Sequence, residues 1–224
     1  MLKVTDSFHS TYPSAVAGAL ALENLNNPSH SDELDRRKTE LENQLRSRYA
    51  GSDRASLLAL PVLAAYREYY KRFDKTYHVL LQLESVAMKG KSIPGVDALV
   101  ESLFMAELQN LLLTAGHDLD TLQEPITLDV ASGTERFTAL NGHEQTLKFG
   151  DMYMLDGQGP ISSVIYGIAE RTRITSSTRR ALMTVYAPSG IGAQAVAQHF
   201  EDIQALVRLF SPQFQVLSTD IQVG

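Results

Sequence analysis

Four groups of residues in this chain have the types and spacing to do chemistry. The first is Gly116-His117-Asp118-Leu119-Asp120. An imidazole beside two carboxylates can move a proton or polarise a water molecule. It can also join a weak metal site, although one histidine and two aspartates so close in sequence make a poor ligand set. A loop histidine with no function is as ordinary as either. The second group is a polar connection holding Arg171, Arg173, Arg179 and Arg180, with Thr172, Thr175, Ser176, Ser177 and Thr178 between them. Guanidinium forks and hydroxyls on a loop can hold a phosphate or a carboxylate, while a solvated loop with an ordinary cap is the commoner fate of such a run. The third is Tyr69, Tyr70, Lys71, Arg72 and Lys75. Interleaved aromatics and cations can stack and hold single-stranded nucleic acid; core tyrosines beside snorkelling bases are the commoner outcome. The fourth is Glu101 and Glu107 in an apolar stretch, where an inward carboxylate is costly unless it binds something and more often simply faces water.

Hairpins and helices must position these groups. Met152 to Leu155 alternates β-favouring residues, and Asp156-Gly157 and Gly159-Pro160 are turn dipeptides. The spacing predicts a hairpin with Ile161 to Tyr166 as its return strand and Ala181 to Tyr186 as a second return. Val4 to His9 and Ala15 to Leu25 read as a strand pair about Tyr12-Pro13, and Asn26-Asn27-Pro28 breaks the chain. Ser31 caps a helix with Leu34, Leu41, Leu45 and Tyr49 on one stripe, ending at Gly51. Its charged face is solvated or, alternatively, a partner surface. Pro61 opens a second helix carrying Val62, Tyr66, Tyr69 and Phe73. Thr76 to Met88 is a third, stopped by Lys89-Gly90-Lys91. Val96 to Leu113 is a fourth, and the His117 stretch follows it as a turn. Ile126 to Val130 and Phe137 to Leu140 read as strands, with a hairpin turn at Asn141-Gly142. A last helix from Ala193 to Phe210 buries Val196, Phe200, Ile203, Val207 and Phe210, and Phe214 to Ile221 is a terminal strand. Helices gather in about 28–120 and strands in about 121–224, with the N-terminal strands joining them. That order indicates an α+β fold, with mixed or antiparallel sheets and packed helices, in a single domain over 1–224.

Composition removes several chemistries. The 224 residues are 44% hydrophobic, enough for a real core. The chain contains no cysteine, which excludes disulfides, thiolate zinc sites and cysteine nucleophiles. It has no Gly-x-Ser-x-Gly elbow, phosphate-binding P-loop or His-Glu-x-x-His, and its Gly-x-Gly pairs lack a strand-to-helix setting. An enzyme built this way would position a water molecule rather than form a covalent intermediate. The net charge of −6 opposes tight nonspecific nucleic-acid binding and confines any such contact to a local basic patch. No apolar leader or membrane-length segment is visible, so a soluble cytoplasmic protein is expected. The oligomeric state is open.

The pattern Asp-Gly-x-Gly-x-Ile…Ile-Tyr-Gly…Arg-Thr-x-Ile-Thr-x-x-Thr from Asp156 onward resembles the B3/B4 domain. That domain occurs inside the β subunit of phenylalanyl-tRNA synthetase and as freestanding proteins. Lys89-Gly90-Lys91-Ser92-Ile93-Pro94 matches the family's basic segment before its central helix, and Gly116 to Asp120 matches its Gly-x-Asp-Leu-Asp turn. The likeness is good from about Tyr66 to Ala187 and weak at both ends. It implies an editing pocket that hydrolyses the ester of a mischarged aminoacyl-tRNA, here acting in trans. The implied partner is the tRNA acceptor end, with no DNA, membrane, metal or cofactor. His117 and Asp118 would polarise water or substrate, Tyr166 and Gly167 would wall the pocket, and Thr184 would contact the amino acid. Arg171, Thr172, Arg173 and Arg179 would meet the RNA, or Arg171 and Thr172 would only brace the loop. Thr184 stands where the synthetase version has a glutamate, and Glu101 and Phe104 stand where it has Asp and Asn. A different amino acid is therefore implied, and Glu101, Glu107 and Asp118 would suit a cationic one such as arginine or an arginine analogue. The other readings are a non-catalytic module for RNA or an amino-acid-like ligand associated with translation, and a structural partner of translation proteins.

Overall fold

The computed structural model describes residues 2–224. The first departure from the expected strand pair comes at once. The leading strand is only β1 (Leu2–Val4), and helix α1 (Asp6–Thr11) follows, because the Thr5 hydroxyl accepts from the Phe8 N–H and caps it. Strand β2 (Val16–Glu23) is buried almost throughout. Helix α2 (Asp32–Arg48) starts at Ser31, whose side chain accepts from the Leu34 N–H. Helix α3 (Arg54–Leu58) leads into α4 (Pro61–Lys71), where proline takes the first helical position, and α5 (His78–Leu83) runs on into a π turn, Glu84–Met88. Helix α6 (Ala98–Asn110) ends at Leu111, whose φ of 62° terminates the helix in the left-handed region.

The strands follow: β3 (Thr114–Asp118), β4 (Ile126–Val130), β5 (Arg136–Thr138), β6 (Glu144–Thr146), β7 (Met152–Asp156), β8 (Gly159–Ser163), β9 (Gly167–Ile168) and β10 (Ala181–Ala187). Helix α7 (Ala193–Arg208) and β11 (Gln215–Val223) complete the chain. They form a five-stranded sheet ordered β1-β4-β7-β8-β9, a four-stranded antiparallel sheet ordered β11-β2-β10-β3, and a β5-β6 hairpin. The β7–β8 hairpin is as expected from Asp156-Gly157. β10 is not its second return, however: it pairs with β2 and β3 in the other sheet.

One hydrophobic core joins both sheets and the helices, and a small second cluster holds Ala131, Phe137, Leu147, Tyr153 and Ala169 under the β5-β6 hairpin. Gly18 of β2 lets α7 lie close, since a Cβ there would sit 2.7 Å from Phe200 and Val196 side-chain atoms. The tyrosines of the aromatic–basic run face inward and hold the ends of other elements. Tyr66 donates to Tyr186 O at 2.6 Å, Tyr70 to Val164 O at 2.6 Å, and Tyr69 to Asp151 Oδ1 at 2.5 Å. They are core residues and do not stack on nucleic acid. Among the described residues, no helix is long and apolar enough to cross a membrane.

Candidate functional site

His117 lies on strand β3 rather than in a turn, and it is fully buried. Its register partner in β10 is Leu182, and that of Ala115 is Thr184. Directly opposed residues share a face, and alternate residues along a strand return to it, so His117, Thr184 and Tyr186 project together from the four-stranded sheet. They meet Ser162 of β8 from the other sheet. Ser162 Oγ hydrogen-bonds the Tyr186 hydroxyl and lies 3.3 Å from His117 Nε2. His117 Nδ1 is 2.9 Å from Thr172 Oγ1, and the Thr172 hydroxyl donates to Ala169 O at 3.2 Å. A carbonyl can only accept, and this orders the whole chain: Tyr186 to Ser162, Ser162 to His117 Nε2, His117 Nδ1–H to Thr172, and Thr172 to Ala169.

Burial, and after it the positive charge of Arg171, pushes the His117 imidazole down to about 3. It is therefore neutral across the physiological range, as the hydrogen-bond order requires. Thr172 belongs to a single 3-10 turn, Glu170–Thr172, so the imidazole fixes that turn from behind.

The same turn carries Arg171. Its guanidinium grips Asp156 bidentately, Nη1–Oδ2 at 3.0 Å and Nη2–Oδ1 at 2.6 Å, and also reaches Gly159 O at 3.3 Å. Burial would raise the Asp156 carboxyl, but Arg171 and the N–H groups of Gln123 and Gln158 outweigh it and leave the group lowered. Arg171 thus locks the β7–β8 turn to the turn behind β9. Beside it opens a cavity of about 350 Å³ lined by Arg136, Phe137, Gln158, Pro160, Ala169 and Arg171, among others. Ala169 and the turn Glu170–Thr172 separate this space from the imidazole.

The other expected site residues do not gather there. Asp118 neighbours His117 on β3, and successive strand residues project to opposite faces. Its carboxylate takes hydrogen bonds from Thr178 Oγ1 at 2.7 Å and the Asp120 N–H at 3.1 Å. It braces the β3 end, on the opposite face from the imidazole. Glu101 is buried against Lys38 Nζ of α2 at 3.0 Å. Glu107 is buried where α6 ends and accepts from the Thr114 N–H at 2.8 Å. Burial raises it to about 8, so it is largely neutral at pH 7. The three acids have three separate sets of partners and do not converge on a cation.

Thr184 is buried beside Tyr186, its hydroxyl 3.5 Å from Ala115 O. Tyr166 is half-buried, packs on the small second cluster, and donates its backbone N–H to Ser163 Oγ at 3.2 Å, a residue that faces away from Ser162. Gly167 is exposed with φ of 79°, and nothing crowds its missing side chain. Arg173 lies 3.8 Å from Glu170, and Arg179 donates to Ser176 O and Thr178 O within its own loop. Sequence reasoning gives Asp156 only a turn and Tyr186 only a strand end, and it gives Ser162 no site role. The one trace of that serine is a pair of hydroxyls, Ser162-Ser163, inside an apolar strand.

Residues 65–203 match the family model of the B3/4 domain. The chain belongs to the B3/4 domain family. The matched stretch takes in His117, Ser162, Thr172 and Tyr186, the Arg171–Asp156 pair and the cavity beside them. Among solved structures, the chain is similar to an N-terminal fragment of the phenylalanyl-tRNA synthetase β subunit from Pyrococcus horikoshii, at 13% identity and a TM-score of 0.49. That likeness covers 99% of this chain, which spans about half (50%) of the fragment. No curated protein sequence matches.

Proposed function

We propose that this B3/4 protein acts in trans on mischarged aminoacyl-tRNA, cleaving the ester with water to release the amino acid and a free tRNA 3′ end. One observation carries the reading: the family match encloses the whole buried seam and the cavity beside it. An aminoacyl ester is already labile, so holding it and a water molecule in line supplies useful acceleration without a strong nucleophile. Arg136 and Arg171 bring guanidinium groups to the cavity lining; each is already paired with a carboxylate, Glu144 and Asp156, so a phosphate there would be held by directed N–H donors rather than by net charge. His117 is a positioning residue here, since it reaches the cavity only through Thr172 and Ala169. The divergent acids remove the basis for a cationic amino acid, and we assign none.

A binding-only module is favoured by one further fact: both imidazole nitrogens are engaged and the ring has no exposure. The test mixes purified protein with a panel of correctly and wrongly charged tRNAs and follows ester loss. Faster loss for a subset supports the deacylase. Binding with unchanged ester lifetimes supports the module. Neither binding nor ester loss across the panel rejects both. His117→Asn would lower turnover of the bound complex more than it weakens binding if the imidazole sets the turn.

A further inference from the structure

Phe149 has 81% of its surface exposed, well above any other large apolar side chain described. A single exposed apolar residue is ordinary; its setting here is not. It follows Lys148, whose ammonium reaches Phe73 O at 2.7 Å and so fastens the loop before β7 to the end of α4. Lys71 and Lys75 are exposed there, and Lys75 Nζ lies 5.3 Å from the centre of the Tyr166 ring. Among the described residues none of the three ammonium groups is matched to a carboxylate, although Asp74 is exposed beside Lys75. Glu135, near the Phe149 loop, is turned onto the Ser132 and Gly133 N–H groups. The small cluster under the β5-β6 hairpin links the two regions: Tyr166 packs on it, and two of its members, Phe137 and Ala169, line the cavity at Arg171.

We infer that Phe149 is a stacking site for a base of single-stranded RNA, with Lys71, Lys75 and Lys148 holding the adjacent phosphates. A flat ring standing free on a loop tied to a lysine-bearing helix end suits a nucleobase and its backbone, because every base has a π-face and every linkage a negative charge. On a chain of net charge −6, such binding must be local and steeply salt-dependent. The inference rests on the RNA part of the proposed function and deepens it: RNA whose 3′ end occupies the cavity at Arg171 would be gripped a few nucleotides back.

The probe is a fluorescein-labelled single strand of about ten nucleotides ending in CCA, titrated by anisotropy beside a blunt duplex of equal length. Phe149→Ser should weaken the single strand about tenfold with the salt slope unchanged. The double variant K71S/K75S should weaken it and reduce the slope of log affinity on log salt by about 1.4, two phosphate contacts' worth. All three positions are exposed, so thermal midpoints should stay at the parent value and serve as the folding control. Wild-type affinity in both variants, or no preference for the single strand, overturns the inference and leaves the face to a protein partner. If the parent deacylates tRNA but the variants bind and turn over normally, only this inference fails. If the patch binds RNA and no ester is cleaved, the inference stands and the deacylase fails. If the parent binds no RNA, both fall.

Discussion

Replacing Glu107 by glutamine should remove a steep loss of stability as pH rises. Glu107 is 2% exposed, and the phenols of Tyr66, Tyr70 and Tyr77 all sense its charge. Burial holds its carboxyl at about 8 in the fold, against an ordinary 4.5. The folded form therefore keeps a proton that the unfolded chain gives up. Between those two values unfolding releases a proton, so stability is full below about pH 4.5 and falls until about pH 8. A window of roughly three and a half units at about 1.4 kcal/mol each sets an upper bound near 5 kcal/mol, and relaxation around the charge makes about 2–4 kcal/mol the working figure. Glu107→Gln keeps an oxygen for the Thr114 N–H and has nothing to titrate. Urea midpoints followed by circular dichroism should agree within about 1 kcal/mol at about pH 5, and the variant should be the more stable by several kcal/mol at about pH 8.5. Parallel profiles over that range would refute the assignment of a protonated, walled-in Glu107. The same measurement bears on specificity, because a neutral carboxyl in the core cannot recognise a cation.

Three other substitutions probe the scaffold. Arg171→Ala leaves the buried Asp156 carboxylate without its counter-ion and should cost about 2–3 kcal/mol, below the fully buried value because the guanidinium is partly exposed; stability lost equally by Arg171→Lys would show that the bidentate fork, not the charge, matters. Tyr69→Phe removes both the donor to Asp151 and the acceptor for the Met152 N–H at 2.6 Å. It should cost about 2–3 kcal/mol, and calorimetry showing less than about 0.5 would contradict the bonding described. Gly116→Ala would bring a Cβ within 2.5 Å of Leu103 and 2.8 Å of Ile174 side-chain atoms. About 1–3 kcal/mol should be lost, and Leu103→Val should recover part of it; a double-mutant cycle with no coupling would show that the strain lies elsewhere.

Local signals in this chain were readable because their physics is local. Ser31 caps α2, Pro61 starts α4, Asp156-Gly157 turns the β7–β8 hairpin, and the stripe from Val196 to Val207 buries α7. Each depends on atoms within about one turn of helix or one hairpin. The α+β class follows from their order, and the family likeness from motifs that fall inside the matched segment. Helix α1 carries no sequence signal, because its six residues have one buried apolar member and no periodicity; the Thr5 cap makes it.

Distant contacts decided the rest. β10 joins β2 across some 160 residues of chain, and no turn dipeptide encodes that pairing. Once β3 lies beside β10, strand alternation sends His117 into the seam and Asp118 away from it, although the two are neighbours in sequence. Lys38 neutralises Glu101 from another helix, and burial keeps Glu107 protonated. Residue types specified what chemistry was available; burial, sheet register and counter-ions, which exist only after folding, selected which groups can use it.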